Sequence, residues 1–375
     1  MAVVAGKKVK VFNTIDAIGK ESIDSIADDA FFTYGYFKTL ETSRSFNITL
    51  FYLAVYDKDK IVAVAPCYVD LNDQFFTLED KYPFMRKIMN LANRLGFYPN
   101  RLIVCTSPNS FHSRILLGKN AKRKVILDLI FRKIDDICRK ERIFFSSLLF
   151  VSEFEGFLIR NLQDFGYLKF PSANTLYLDI KWSSFDDYLK SLESHKIRTN
   201  VRREIRKCQQ NEVTIAEEDE YGKLSTTLSN LHSNLFSKYN KGKVSPHQVS
   251  FFRKLSEYAK DKTKVFVARR RGKILGFSLC LQHKGVLDVH LCGFDYDAQK
   301  KSDYTYFNIA YYRPIKLAIE EGIKKIHFSI SSERVKLKRG CKLEETYSFN
   351  RCHIRLLNFF YSFYAKKKYS HYNAY

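Results

Sequence analysis

Tyr52-Leu-Ala-Val-Tyr-Asp-Lys-Asp-Lys60-Ile-Val-Ala-Val-Ala-Pro-Cys67 and Val265-Phe-Val-Ala-Arg-Arg-Arg-Gly-Lys273-Ile-Leu-Gly-Phe-Ser-Leu-Cys280 repeat one pattern. Each is an apolar, β-branched run, a short polar turn and a second apolar run, the signature of a β-hairpin. At an offset of 213 residues, Lys60-Ile61 falls on Lys273-Ile274 and Cys67 on Cys280. An amphipathic helical stretch precedes each hairpin, around Tyr36–Glu41 in the first half and Phe251–Tyr258 in the second. A helix and a buried strand follow each. Val125–Lys140 leads to Ile143–Val151, and Phe307–Glu321, stopped by Gly322, leads to Ile326–Ile330. Pro314 is expected to loosen the first half of the second of these helices. Hairpins pair antiparallel, and a helical crossover implies a parallel neighbour. The pattern predicts an α/β fold, a mixed sheet with flanking helices, made twice in tandem.

The chain has 375 residues, which suits two cores better than one. The boundary is expected near Asp179–Trp182, giving an N-terminal domain of residues 1–180 and a C-terminal domain of residues 181–375. Thr175–Ile180 reads as a strand, and Ser184-Phe-Asp-Asp187 as a capping box that opens a new helix. Residues 70–124 are expected to hold a short helix near Arg86–Leu95 and a loop rich in Pro, Ser and Asn.

Charge is the compositional outlier. The sequence carries 63 Lys and Arg against 40 Asp and Glu, a net charge of +23. Unpaired cations are costly to bury, so the surplus lies on the surface and selects polyanionic partners. No apolar run reaches the ~18–20 residues of a membrane span, and the first residues lack the pattern of a signal peptide. A cytoplasmic location is expected. The eight cysteines form no C-x-x-C pair and the nine histidines show no ligand spacing, so reduced thiols and no metal site are expected.

The surplus is densest at His195-Lys-Ile-Arg-Thr-Asn-Val-Arg-Arg-Glu-Ile-Arg-Lys207, within a basic helical region at 185–210. Ile197, Val201 and Ile205 form an apolar line at i+4 spacing, and Arg198, Arg202 and Arg206 form a second line beside it. Arginine forks suit phosphate oxygens. Further basic clusters are Ala121–Lys124, Arg269–Lys273, Lys336–Arg339 and Lys366–Lys368. The last lies in a basic and aromatic tail, residues 354–375, suited to single-stranded nucleic acid or to peripheral contact with the inner face of a membrane.

Three stretches carry a resemblance. Ser184-Phe-Asp-Asp-Tyr-Leu runs into Lys196-Ile-Arg-Thr-Asn-Val-Arg-Arg-Glu-Ile-Arg206. Phe307-Asn-Ile-Ala-Tyr311-Tyr312-Arg-Pro-Ile-Lys-Leu-Ala-Ile-Glu-Glu-Gly322 forms the second. Glu333-Arg-Val-Lys336-Leu-Lys-Arg339-Gly340 follows. In order and spacing these resemble the FemAB-like branch of the GNAT acyltransferase superfamily, over about two-thirds of the chain. The resemblance implies tandem GNAT-like domains and transfer of an acyl or aminoacyl group to an amine. Aminoacyl-tRNA is then the favoured co-substrate, a small-molecule or peptide amine the acceptor, and no resident cofactor is expected. Two alternatives stand beside it: an acyl-CoA-dependent N-acyltransferase acting on an envelope or polysaccharide precursor, and a non-catalytic nucleic-acid or membrane-surface binder.

Two departures from the family pattern bear on chemistry. The Gly-rich turn before Glu333 is Ser329-Ile-Ser-Ser332 here, and Glu333 to Lys336 holds an extra residue. The coenzyme-A phosphate loop would fall at Gln299–Tyr304, where both glycines are missing. Glycine lets backbone N–H groups close on a pyrophosphate, so the loss favours aminoacyl-tRNA over acyl-CoA. The resemblance implies catalytic roles for Glu333, Lys336 and Tyr311. It implies substrate or phosphate contacts for Arg339, Tyr304, Tyr306 and Ser331, and tRNA contacts for Lys196, Arg198, Arg202, Arg203, Arg206 and Lys207.

Overall fold

The computed structural model describes residues 6–70, 101–119, 121–240 and 247–354, together with Val3, Val4, Ser245 and Asn358. The expected helix near Arg86–Leu95 and nearly all of the tail at 354–375 lie outside the described residues. Among the described residues no helix is long and apolar enough to cross a membrane.

The chain forms two compact units, each with a mixed sheet. In the first unit β2 (Lys7–Phe12), β3 (Ile48–Asp57), β4 (Lys60–Asp70) and β5 (Leu102–Val104) run antiparallel in that order, with the short β1 (Val3–Val4) at the edge of β2 and β6 (Leu116–Leu117) beside β4. The helix Arg123–Lys140 then crosses over, and β7 (Phe145–Ser152) pairs parallel with β5. The core lies between the sheet and two helices. Ile126, Ile130 and Ile134 of Arg123–Lys140 and Leu158 and Leu162 of Gly156–Asp164 pack with Leu53, Val55 and Ile103.

The second unit repeats the scheme. β10 (Thr214–Glu217), β11 (Thr263–Arg270), β12 (Lys273–His283) and β13 (Val286–Phe294) run antiparallel, and β14 (Lys325–His327) pairs parallel with β13. Tyr188, Val201, Ile315 and Ala318 pack on the face of the sheet that carries Phe266 and Ile326. On the other face Phe277 meets Phe252. The hairpins match beyond their sequences. Phe51 pairs with Cys67 and Lys264 with Cys280, and each hairpin has a bulge at the equivalent step, Val55/Tyr56 and Ala268/Arg269. Lys58 and Arg271, 213 positions apart, both take the left-handed conformation in the turn. Two-residue turns of this hand match the twist of the strands they join.

The units interleave along the chain, unlike the expected cut after residue 180. The first comprises Met1–Ala27, Asn47–Ala173 and Glu345–Tyr375, and the second Asp28–Phe46 and Asn174–Glu344. The closing strands are exchanged. In the first unit β7 and β8 (Leu168–Pro171) both pair with β16 (Thr346–Cys352), from the end of the second half. In the second unit β14 and β15 (Lys342–Glu344) both pair with β9 (Thr175–Asp179), from the end of the first. Antiparallel pairing needs an open edge and a matching apolar face, and says nothing about which half supplies the strand. The helix Tyr34–Ser43, expected to serve the first hairpin, belongs to the second unit. It packs so closely on Val249–Tyr258 that a Cβ on Gly35 would lie 2.2 Å from the Tyr258 carbonyl oxygen.

Candidate active site

The helix His195–Gln210 is started by Ser194, whose hydroxyl accepts the Ile197 N–H. Its buried line is Val201, Glu204 and Cys208, with Ile197 and Ile205 half-buried beside it. The one acid among six cations thus points inward. Glu204 accepts from the Arg339 guanidinium at 3.0 Å and from the Tyr312 hydroxyl, and Arg339 donates to Tyr312 at 2.9 Å. The guanidinium also lies 4.2 Å from the ring centroid of Phe307, and the Tyr188 hydroxyl donates to the Arg339 carbonyl at 3.0 Å. Arg339, expected to meet a substrate phosphate, is 7% exposed and committed to clamping the basic helix. A buried guanidinium needs a carboxylate, and Glu204 supplies it.

Lys336 is likewise turned inward. Its ammonium donates to the carbonyls of Phe328, Ser329 at 3.2 Å and Ile330 at 2.7 Å. Burial lowers its pKa to about 8. On the β9 side the Ser329 carbonyl also accepts the Leu176 N–H at 3.2 Å, whereas on the β13 side the sheet opens here. β13 and β14 pair only from Val286–Asp288 against Lys325–His327, after which β13 runs on to Phe294 and the other chain turns away. Ser329, Ser331 and Ser332 all take left-handed φ values of 58°, 69° and 51°. The turn therefore keeps a glycine-like backbone on serine, at a cost on the order of 1 kcal/mol per residue, with Lys336 holding three carbonyls along it. It also shortens the strand expected over Ile326–Ile330 to Lys325–His327.

Three expected site residues lie around this turn. Glu333 opens the short helix Glu333–Leu337 and is exposed, as is Ser331. Tyr306 is half-buried. Its hydroxyl lies 2.9 Å from that of Tyr311, and burial raises its pKa. Tyr311 is 1% exposed and stacks on Phe328 at 5.2 Å, so it supports Tyr306 from behind. Tyr304, half-buried with φ 51°, stands at the start of this helical region. The helix expected as one piece consists of Thr305–Phe307, a π-turn at Asn308–Tyr312 and Arg313–Glu320. Pro314 at the start of the last piece has no N–H to give, which accounts for the break.

The expected phosphate loop holds a carboxylate of its own. Asp303, fully buried, accepts the Lys300 backbone N–H at 2.7 Å, Arg270 at 2.9 Å and Asn211 at 3.0 Å. On the basic helix, Arg198 turns back and donates to the Leu192 carbonyl at 2.7 Å, so it leaves the expected row. Lys196, Arg202, Arg203, Arg206 and Lys207 are exposed, and among the described residues no acid pairs with them. Sequence reasoning missed Glu204 and Tyr312. The spacing of Val201, Glu204 and Cys208, three and then four residues, was the available signal that Glu204 faces the core.

A family model for FemAB-like proteins, described as peptidoglycan biosynthesis/recognition, matches residues 14–374. The chain belongs to the FemAB-like family, with the GNAT acyltransferase fold. No curated protein sequence matches it significantly. Among solved structures it is similar to FemX, with TM-score 0.59 and 11% identity over 91% of this chain and 96% of that one. It is also similar to a tandem GNAT protein from the clavulanic acid biosynthesis pathway, with TM-score 0.51 and 9% identity over 92% and 98%. A conserved protein of unknown function from Bacteroides thetaiotaomicron gives TM-score 0.54 and 12% identity over 90% and 95%. At these identities the likeness is one of fold. It agrees with the doubled hairpin, and this FemAB-like chain carries the GNAT scheme twice.

Proposed function

We propose that this FemAB-like acyltransferase forms an amide by moving an aminoacyl group from tRNA to an amine, with a peptidoglycan-type precursor as the acceptor class suggested by the family description. The observation that carries this reading is the basic helix. Five exposed cations without acidic partners among the described residues stand on a helix fixed to the core by the Glu204–Arg339–Tyr312 clamp. Phosphate backbones are bound by such fixed, solvent-facing charge. Asp303 supports tRNA over acyl-CoA, because its carboxylate already takes the loop N–H that a pyrophosphate would need and repels a second anion.

In the reaction the amine nitrogen attacks the ester carbonyl, the new C–N bond forms, and the ester C–O bond breaks. The tRNA 3′-oxygen leaves with the proton lost by the amine. Holding the reactants together and moving that proton is enough. Glu333 at the rim and the Tyr306 hydroxyl are the proposed proton carriers, while Lys336 acts as a positioning residue through the serine turn.

The deciding experiment is tRNA binding and single-turnover transfer from a charged tRNA. Replacing Arg202, Arg203 and Arg206 together by Gln should weaken binding and reduce the slope of log K against log salt by about 0.7–0.9 for each phosphate that is no longer neutralised. An unchanged slope makes the helix a solvated face. Binding of acyl-CoA in place of tRNA by the wild type establishes the alternative donor.

A further inference from the structure

A cleft of about 360 Å³ opens beside the basic helix, between Ile205 and Gln209, the start of β10 and the helical region around Arg313. Neither the serine turn nor Tyr304, Tyr306 or Tyr311 lines it. Apolar Ile205, Val213 and Ile215 line it together with Gln209, Asn308, Tyr312, Arg313 and Lys316. Lys316 is half-buried, with its ammonium 4.9 Å from the ring centroid of Phe185, and no carboxylate among the described residues pairs with it. Arg313 is shared with Glu320 at 2.9 Å, an exposed partner that an anion can displace. Arg202 and Arg206 are exposed and each sits about one helical turn before a residue that lines the cleft, Ile205 and Gln209. Volume, apolar contacts, the amides of Gln209 and Asn308 and two nearby cations are the features of a small-ligand site.

We propose that this cleft is a second binding site, for an organic phosphate of about nucleoside-monophosphate size. Its flat body lies on Ile205, Val213 and Ile215, and its phosphate meets Lys316 and Arg313. The assignment does not depend on the identity of the acyl donor. The same chemistry is offered by a free mononucleotide and by the terminal nucleotide of an RNA.

Isothermal titration of the full chain with AMP and UMP, against adenosine, uridine and inorganic phosphate, tests it. The nucleotides should bind, and the nucleosides and inorganic phosphate should each bind at least about ten-fold more weakly, since a charge-assisted contact and the apolar contacts are both required. Lys316→Ala should weaken AMP binding about ten-fold, and Lys316→Arg should retain part of it. Gln209→Trp, at an exposed helix position, should block the cleft with no change of charge. Unaltered melting temperatures establish that the variants are folded. A short RNA that displaces AMP from the wild type, and that itself binds Gln209→Trp more weakly than the wild type, identifies an RNA end as the source. Displacement by free nucleotide alone identifies a mononucleotide. No binding of either nucleotide at millimolar concentration, or equal binding by wild type, Lys316→Ala and Gln209→Trp, overturns the proposal.

Discussion

Glu204 and Lys336 reverse the ordinary expectation for charged side chains, because both spend their charge inside the protein. Glu204 neutralises Arg339 at 3.0 Å in a site where both are less than a tenth exposed. Removing one member of such a pair strands the other, at about 3–5 kcal/mol. Glu204→Ala should therefore lose that much stability in chemical denaturation, whereas Arg203→Ala, one residue away and exposed, should change it by less than about 0.5 kcal/mol. Equal effects would mean that the clamp contributes nothing. Lys336 fills a space shaped for one ammonium and three carbonyls. An exposed catalytic lysine can be partly replaced by arginine, since charge is kept. A buried cap cannot, because the planar fork does not converge on three carbonyls. Lys336→Arg should thus lower the melting temperature and the transfer rate about as much as Lys336→Met; full recovery with Arg would move the ammonium back to the substrate.

At the scale of elements, the hairpins were legible to the residue because their signal is local. Alternation, turn and register are set within sixteen residues, and the bulges at Val55/Tyr56 and Ala268/Arg269 repeat with them. The basic helix was legible in its limits and its cap, but only partly in its faces. Arg198 left the expected row because Leu192, six residues back, presents a carbonyl within reach. The site was less legible than the fold. Sequence placed Lys336, Arg339 and Tyr311 in it by order, but that Arg339 is buried depends on Glu204, 135 positions away. Two elements meet through a residue without a side chain. A Cβ at Gly35 would stand 2.2 Å from the Tyr258 carbonyl oxygen, a backbone atom that cannot step aside. Gly35→Ala should destabilise the second unit by about 1–3 kcal/mol or more, read as earlier unfolding of the tryptophan signal from Trp182. An unchanged transition would show that the two helices can separate freely.

The whole molecule carries two consequences that no segment shows alone. Each unit borrows a strand from the other half of the sequence, so residues 1–180 lack β16, between β7 and β8. Expressed alone, that fragment exposes two open strand edges and should aggregate. Co-expression with residues 181–375 should restore soluble protein, and a soluble, cooperatively folding 1–180 fragment would disprove the exchange. The second consequence is acid sensitivity. His232, His247 and His290 meet edge-on, with centroids 5.1 Å apart for the first two and 5.7 Å for the last two. Burial lowers all three pKa values, that of His290 to about 3. The unfolded chain titrates near 6.5, so between pH ~6.5 and ~3 it binds more protons than the folded chain. Stability is full above that window and falls as the pH drops through it. Melting temperatures measured from pH 7.5 to 4 should decline, and the decline should be shallower in His290→Phe, which keeps the ring contact with Phe31. The same slope in both proteins would place the acid sensitivity elsewhere.

The doubled α/β scheme, the hairpin register, the basic helix and the likeness to the FemAB-like family are all readable along the chain, because each rests on patterns of near neighbours. The tertiary structure alone decided which half supplies each closing strand, which cations are exposed and which are buried, and that serines would hold a glycine-like turn. The physical reason is the same in each case. Strand edges, counter-charges and carbonyl acceptors are satisfied by whatever comes close in space, and hydrogen bonding and charge pairing carry no record of sequence distance.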